Sequence, residues 1–226
     1  MASTVRLQAP IGQRALLITI LAVPLTGWTV HAVSLHRKLS AARRDPLTGL
    51  LGRDGYTAKA RKILARHGDS ALVVLVDLDH FKAINDGPGG HAAGDRVLTA
   101  TATRLTAWAN SHGAVGRLGG DEFAVTVRIR AAHRELRLTQ LTQLLAQPVE
   151  LEDGVLLDVA ASVGAASPGV LGTTDLSALQ RAADAAMYAG KHTGHPVLAD
   201  RSHAAVPSIN GRRAGRPGTH ALGRAA

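Results

Sequence analysis

Pairs of acidic residues lie near the ends of apolar runs at two points of this 226-residue sequence. At the first point, the run ALVVLV at 71–76 is followed by Asp77 and Asp79. Side chains alternate along a strand, so both carboxylates would lie on one face of the predicted strand. Carboxylates at a strand end are a common site for Mg²⁺, which prefers oxygen ligands. For one Asp alone, a solvated turn residue is the preferred interpretation.

The second point is a turn in which Asp121 and Glu122 come directly after Gly119 and Gly120. Glycines in such a turn permit positive φ and let a bulky ligand approach the backbone closely. Two adjacent carboxylates repel each other unless a cation or solvent relieves the repulsion. An exposed acidic turn is the alternative, but two acidic sites at the ends of neighbouring strands could together hold a metal–triphosphate.

The elements that must position these acids are predicted from apolar periodicity and turn residues. Gly119-Gly120 predicts a hairpin, and Asp153-Gly154 predicts a second pair of strands. The predicted helices are 56–67, 94–111, 133–146 and 175–193; the predicted strands are 71–76, 114–118, 123–129, 149–151, 155–163 and 197–198. This order predicts an α+β fold with a mostly antiparallel central sheet flanked by helices.

Four ordered motifs resemble the GGDEF domain of diguanylate cyclases, which is named for the run at 119–123. The motifs are DPLTGL at 45–50 with Arg53, VDLDHFKAIND at 76–86, RLGGDEF at 117–123 and ADAAMYAGK at 183–191. The resemblance covers 45–198. It implies a nucleotidyl-cyclase-like fold that condenses two GTP molecules into cyclic di-GMP as a homodimer, with two Mg²⁺ (or Mn²⁺) ions in each active site.

The resemblance also implies a role for each matching residue. Asp77, Glu122 and the carbonyl of Leu78 would bind the metals, and Asp121 would be a metal ligand or the general base near the attacking 3′-hydroxyl. Six residues would contact the nucleotide: Asn85 and Asp95 at the guanine edge, Lys82 and Lys191 at the phosphates, and Gly119 and Gly120, which make room for GTP. Residues 45–50 would form the turn that couples the preceding segment to the domain. Taken singly, Lys82 and Lys191 are equally well explained as solvated surface lysines.

Three departures from the family pattern are visible. Asn85 and Asp95 are separated by one residue more than usual. His195 stands where an arginine that binds phosphate is expected, and a histidine is partly neutral at pH 7 and lacks the bidentate fork of arginine. Asn110 and Gly113 replace the Arg and Asp of the product-inhibition motif, so no inhibitory site is predicted.

The first two departures leave a second function open. A degenerate domain could bind GTP or partners without making product. The intact run at 119–123 and the presence of Asp77 favour the enzyme, since a degenerate domain would more often have lost one of these acids.

An apolar segment at 15–35 reads ALLITILAVPLTGWTVHAVSL and contains no Asp, Glu, Lys or Arg. As a helix it would span about 30 Å, the thickness of a bilayer core. Positive charge is denser after it than before it, which predicts a single-pass anchor in the inner membrane with the later residues in the cytoplasm. A cleaved signal peptide and a buried helix are the alternatives. Residues 1–14 would form an N-terminal segment, and 36–44 a basic linker.

The formal net charge of +9 invites a nucleic-acid interpretation. However, clusters of basic residues lie in the linker and in the tail at 199–226, which is rich in Gly, Pro and Ala and is predicted to be disordered. Because no basic helix with interleaved aromatic residues is present, dedicated nucleic-acid binding is not predicted. The absence of cysteine excludes disulfides and thiolate metal sites.

Overall fold

The computed structural model describes Trp28 and residues 44–152, 154–191 and 193–205. Apart from Trp28, the predicted membrane segment lies outside these residues, as do the segment before it, the linker up to 43 and the tail after 205. Within the described ranges, no helix is both long enough and apolar enough to cross a membrane.

Helices and strands follow the predicted order, with some changes in their bounds. The first half contains α1 (Arg53–His67), β1 (Ala71–Leu78), α2 (Phe81–Asp86), α3 (Gly90–Ala109), β2 (Ala114–Gly119) and β3 (Glu122–Arg128). The second half contains α4 (Arg134–Leu145), β4 (Val149–Glu150), β5 (Leu156–Leu157), β6 (Ala161–Ala166), α5 (Pro168–Leu171), α6 (Leu176–Gly190) and β7 (Val197–Leu198). Short 3₁₀ turns lie at Gly68–Ser70, Ala131–His133 and His203–Ala205.

Five of these strands form the central sheet, in the order β2-β3-β1-β6-β7. Neighbouring strands are antiparallel except for β6 and β7, which are parallel. Helices pack on both faces of this mixed sheet. The predicted α+β class with a mostly antiparallel sheet is therefore confirmed.

The central strand β1 is buried along its whole length, which explains its continuous apolar run. Leu72, Val74 and Val76 belong to the core cluster that contains residues of α3 and α4. Val73 and Leu75 belong to the opposite cluster, which contains residues of α1 and α6. By alternation, Asp77 continues the face that is covered by α1 and α6.

The predicted strand at 155–163 is wrong in its extent. Leu156–Leu157 pairs with Val149–Glu150 in a separate two-stranded sheet, whereas Ala161–Ala166 pairs with β1 in the central sheet. The backbone leaves one sheet and enters the other within three residues. Both pieces are apolar, so hydrophobic periodicity contains no signal that separates them. The six-residue helix α2 was also not predicted, because fewer than two turns show no clear period.

The folded domain continues beyond Leu198, where a disordered tail was expected to begin. The Ala199 backbone N–H donates a 2.7 Å hydrogen bond to Ala165 O, and Ala199 is buried. Asp200 accepts hydrogen bonds from Ser202, and a 3₁₀ turn follows at His203–Ala205. The expectation of disorder is therefore wrong for 199–205. Composition favoured disorder there, but Ala199 bonds to β6 and the turn at His203–Ala205 lies against α6.

Candidate active site

Two carboxylates face each other across neighbouring strands at one end of the sheet. Asp77 in β1 is directly opposite Glu122 in β3, and directly opposed residues of an antiparallel pair lie on the same face. Asp77 is only 6% exposed, whereas Asp121 and Glu122 are half-buried. The backbone N–H of Leu78 donates to Asp121 O at 3.3 Å, which joins the end of β1 to the turn. We call Asp77, Asp121 and Glu122 the carboxylate edge.

The turn before these acids depends on its two glycines. Gly119 and Gly120 have φ values of 151° and 53°, a region that residues with a side chain rarely adopt. The register of β2 against β3 shifts between Arg117 and Gly119, as in a β-bulge. Bulges redirect the strand locally, so this one sets the direction in which Asp121 and Glu122 leave the turn.

Lys191 follows the last residue of α6 and reaches the carboxylate edge. Its Nζ lies 2.6 Å from Asp77 Oδ2, with side-chain exposures of 40% for Lys191 and 8% for Asp77. A buried carboxylate next to an ammonium keeps its charge at a lower cost than an isolated one. The contact shows that Lys191 is an ion-pair partner of Asp77 and not only a solvated surface lysine.

The position of Lys191 depends on how closely α6 lies against the sheet. A Cβ added to Gly164 in β6 would lie 2.1 Å from Ala183 O and 2.4 Å from Met187 N, so only glycine allows this approach. Two positions before Gly164 on the same strand, Ser162 is opposite Asp77 and donates a 2.7 Å hydrogen bond to Asp79 Oδ1. Sequence analysis did not identify Ser162 or Gly164 as part of the site, because it did not place β6 next to β1.

A divalent metal fits the chemistry of this edge. The donors that β1 and β3 bring together are hard oxygens, and one of the carboxylates is buried and already balanced by a cation. Within 44–152, 154–191 and 193–205, however, no three His, Asp or Glu side chains form a group that could hold a metal ion. Asp77 and Glu122 are therefore the two side-chain carboxylates that the strand register brings together.

The other predicted nucleotide contacts lie on α2 and α3. Lys82 and Asp95 are exposed, and Asn85 is half-buried. The stretch between Asn85 and Asp95 includes the connection between the two helices, where Gly90 N donates to Gly87 O at 3.0 Å. We call Lys82, Asn85 and Asp95 the helical corner. The geometry places its three members on two adjoining helices rather than on strands.

The turn that precedes α1 is tied to the glycine turn. Asp45 accepts hydrogen bonds from the backbone and hydroxyl of Thr48, and Arg117 Nη1 lies 3.1 and 3.2 Å from its two oxygens. Arg117 Nε also donates to Gly120 O at 2.9 Å. Burial raises the pKa of Asp45, but the Thr48 and Arg117 contacts outweigh it and hold the pKa below its usual 3.8. Arg117 therefore links the start of the domain to the turn before Asp121, a connection that sequence reasoning did not find.

The stretch that departs from the product-inhibition motif begins at the C-terminal end of α3. Asn110 ends α3 with φ at 60° and ψ at 178°, and its Oδ1 accepts a hydrogen bond from Ser111 N at 2.7 Å. This combination lies outside the αL well and is adopted almost only by glycine, so the backbone is strained at Asn110. Beside it lies a cavity of about 680 Å³, whose basic lining residues are His67, His112, Arg128, Arg130, His133 and Arg137.

Comparison with known proteins identifies relatives of this domain. The family model described as "Diguanylate cyclase, GGDEF domain" matches residues 42–196. An uncharacterised 19.3 kDa protein encoded in the repSA 5′ region of Streptomyces ambofaciens is 51% identical over 169 residues, which cover 75% of this chain and 89% of that protein. The diguanylate cyclase DgcN of Escherichia coli K12 is 34% identical over 158 residues, which cover 68% of this chain and 38% of DgcN. The chain therefore spans well under half of the length of DgcN.

A solved structure has the same fold. The GGDEF domain of TpbB (also called YfiN) from Pseudomonas aeruginosa PAO1, studied as a truncated form, superposes with a TM-score of 0.62 at 34% sequence identity. The match covers 71% of this chain and 96% of that one. The residues matched by the family model, 42–196, include the carboxylate edge and the helical corner.

Proposed function

Because the chain belongs to the GGDEF family of diguanylate cyclase domains, we propose that it condenses two GTP molecules into cyclic di-GMP and two pyrophosphates. One observation carries the proposal. The β1–β3 register places Asp77 opposite Glu122 on one face of the sheet, next to a double-glycine turn where a Cβ added to either glycine would meet no atom within 4 Å. Two opposed carboxylates beside an open turn suit a metal–triphosphate better than they suit any apolar ligand.

The proposed roles follow from the positions of the acids. Asp77, Glu122 and the Leu78 carbonyl would hold the metals. Two Mg²⁺ (or Mn²⁺) ions would supply Lewis-acid stabilisation of the charge on the α-phosphate and on the departing pyrophosphate. Asp121, at the outer end of the turn, would be a further ligand or would accept the proton of the attacking 3′-hydroxyl. In each half-reaction one P–O bond forms at the α-phosphate and the bond to pyrophosphate breaks.

The lysines would neutralise phosphate charge. Lys191 is already beside Asp77, so a nucleotide that arrives with metal would exchange this ion pair for a contact between Lys191 and a phosphate. Lys82, exposed on the helix that follows β1, would contact the same triphosphate from the other side of the strand end. Cations at these positions stabilise a transition state whose charge spreads over the phosphoryl oxygens.

The helical corner would select the base. Guanine presents N1–H and an amine as donors, which the Asp95 carboxylate and the Asn85 amide oxygen can accept. Gly119 and Gly120 would let the nucleotide approach the turn without meeting a side chain.

The product requires two nucleotides, and we propose a homodimer. Cyclic di-GMP is two-fold symmetric, and one domain of this size would hold one GTP. Two domains that face each other about a two-fold axis would bring each 3′-hydroxyl to the α-phosphate on the partner. Activity should then rise faster than linearly with protein concentration, and strictly linear dependence far below the dimer dissociation constant would contradict this arrangement.

We further propose that the protein is anchored in the inner membrane by 15–35, with the catalytic domain in the cytoplasm, where GTP is available. The support is the length of the apolar segment and the excess of positive charge after it. Reporters fused after Ala205 test this topology. A cytoplasmic reporter should be active there, and activity of a periplasmic reporter would overturn the orientation.

A second candidate is a degenerate module that binds GTP without turnover. Two observations favour it: the extra residue between Asn85 and Asp95, and the exposed His195 in place of an arginine. The deciding assay incubates the full-length protein with GTP and Mg²⁺ and identifies the product by chromatography. Formation of cyclic di-GMP supports the enzyme, whereas GTP binding without product supports the binding module.

A further inference from the structure

The half-buried Asn85 side chain lies against a glycine of the neighbouring helix. Gly94, in the second turn of α3, is buried. A Cβ added to it would lie 2.0 Å from Asn85 Oδ1 and 3.1 Å from Asn85 Cγ, with Phe81 Cζ at 3.3 Å. A separation of 2.0 Å is far inside van der Waals contact. The Asn85 amide therefore occupies the volume that any side chain at position 94 would need.

Only side chains obstruct that volume. The three nearest atoms belong to Asn85 and Phe81, and a side chain can rotate away, whereas backbone cannot. Alanine is also a better helix former than glycine in a helix interior. Substitution of Gly94 by alanine should therefore leave the fold intact and displace the Asn85 amide. Gly94 makes the helix somewhat less stable than alanine would, but it leaves space for the Asn85 side chain.

The displaced group is one suited to reading a base. Among the described residues, no group hydrogen-bonds the Asn85 side-chain amide, which leaves one acceptor and two donors available. Asp95, the residue after Gly94, is exposed and adds carboxylate acceptors. Guanine carries a carbonyl where adenine carries an amine. A site with both an amide and a carboxylate can therefore bind guanine in preference to adenine.

We propose that Gly94 is a positioning residue for base selection, which fixes the location of the Asn85 amide because it has no side chain. The inference rests on the proposed function, in which GTP is the substrate. It also accounts for the extra residue between Asn85 and Asp95. The connection between α2 and α3 lies between Asn85 and Asp95, and the direct contact of Asn85 with Gly94, the residue before Asp95, holds Asn85 against α3 whatever the length of that connection.

The test compares the full-length protein with G94A, N85A and the double variant G94A/N85A. Binding of the α,β-methylene analogues of GTP and ATP, which are not turned over, is measured by calorimetry with Mg²⁺. The ratio of the two affinities should fall by about 10- to 100-fold in G94A and in N85A, as expected when one charged or buried hydrogen bond is lost. The double variant should lose no more than N85A alone, because Gly94 acts through Asn85.

Two further readouts separate positioning from a purely structural role. G94A should melt at the same temperature as the wild type or higher, and its kcat at saturating GTP should fall much less than its kcat/KM. The matched control is A92S, which adds one atom at an exposed position of the same helix and should keep the wild-type preference.

The outcomes distinguish this inference from the proposed function. If the wild type binds the two analogues equally, the proposed function is wrong and the inference falls with it. If the wild type prefers the GTP analogue and G94A prefers it equally, only the role of Gly94 is wrong. A further tenfold loss from G94A in the N85A background, or a G94A protein that does not fold, would also refute the positioning role.

Discussion

The carboxylate edge and the helical corner belong to one proposed site but are positioned by different forces. Asp77 and Glu122 are placed by the hydrogen-bond register of β1 and β3, which a local change cannot alter without disrupting the sheet. Asn85 is placed by one side-chain contact with Gly94 on the next helix. Strand pairing therefore positions the carboxylate edge, which is proposed to perform the chemistry. Side-chain contacts between helices, which can adjust, position the helical corner, which is proposed to select the substrate.

The largest expected effect tests this division directly. D77N and E122Q should each lower the rate of cyclic di-GMP formation by about 10³-fold or more, because several kcal/mol of charge stabilisation are lost. N85A should instead retain most of the turnover at saturating GTP. The measurement is initial rate against GTP concentration, with D54N, an exposed acid of α1, as the control. Near-normal activity of either carboxylate variant would show that the edge is not the catalytic part.

Two glycines provide the next comparison. G164A should lower the free energy of unfolding by about 3 kcal/mol, because the added methyl meets backbone atoms of α6 that cannot move independently. In G94A the added methyl meets only side chains, so the free energy of unfolding should change by about 0 kcal/mol or increase. Urea unfolding monitored by circular dichroism measures both. Equal destabilisation by the two substitutions would mean that the corner is packed as rigidly as the edge.

A smaller effect concerns the turn that leads into the domain. The pKa of Asp45 in the folded state is below 3.8, so its ionised form stabilises the fold above that pH. The contribution is lost as the pH falls through the lower folded-state value. D45N should therefore be less stable than the wild type by about 1 kcal/mol at pH 6, and the difference should shrink as the pH drops below about 4. A difference that stays constant down to pH 2 would exclude the Asp45–Arg117 pair as its cause.

The smallest expected effect is the absence of feedback. Asn110 and Gly113 lack the charge of an arginine fork and a carboxylate, and Asn110 Oδ1 is used to end α3. We expect cyclic di-GMP to produce no inhibition that saturating GTP cannot relieve, and progress curves with added product measure this. Strong inhibition that GTP does not relieve would instead direct attention to Arg128, Arg130 and Arg137 in the neighbouring basic cavity.

Much of the fold was predictable because its signals are local. The apolar run of β1, the double glycine of the hairpin and the amphipathic pattern of α6 each depend on residues close in sequence. The division of 155–163 between two sheets was not predictable, because both pieces are apolar and only their partners differ. Residues 199–205 were misjudged for a related reason: their composition suggests disorder, but Ala199 is held by Ala165 on a strand far away in sequence.

The sequence by itself determined which chemical groups are present and in which order: the acids at 77, 121 and 122, the glycine turn and the lysine at 191. These follow from residue identity and from spacing along the chain. Only the tertiary structure decided that Asp77 is opposite Glu122, that Lys191 is the partner of Asp77, and that Gly94 gives Asn85 its place. The reason is that strand register and helix contact join residues that are distant along the chain, and local pattern does not encode which distant residue will fill a given space.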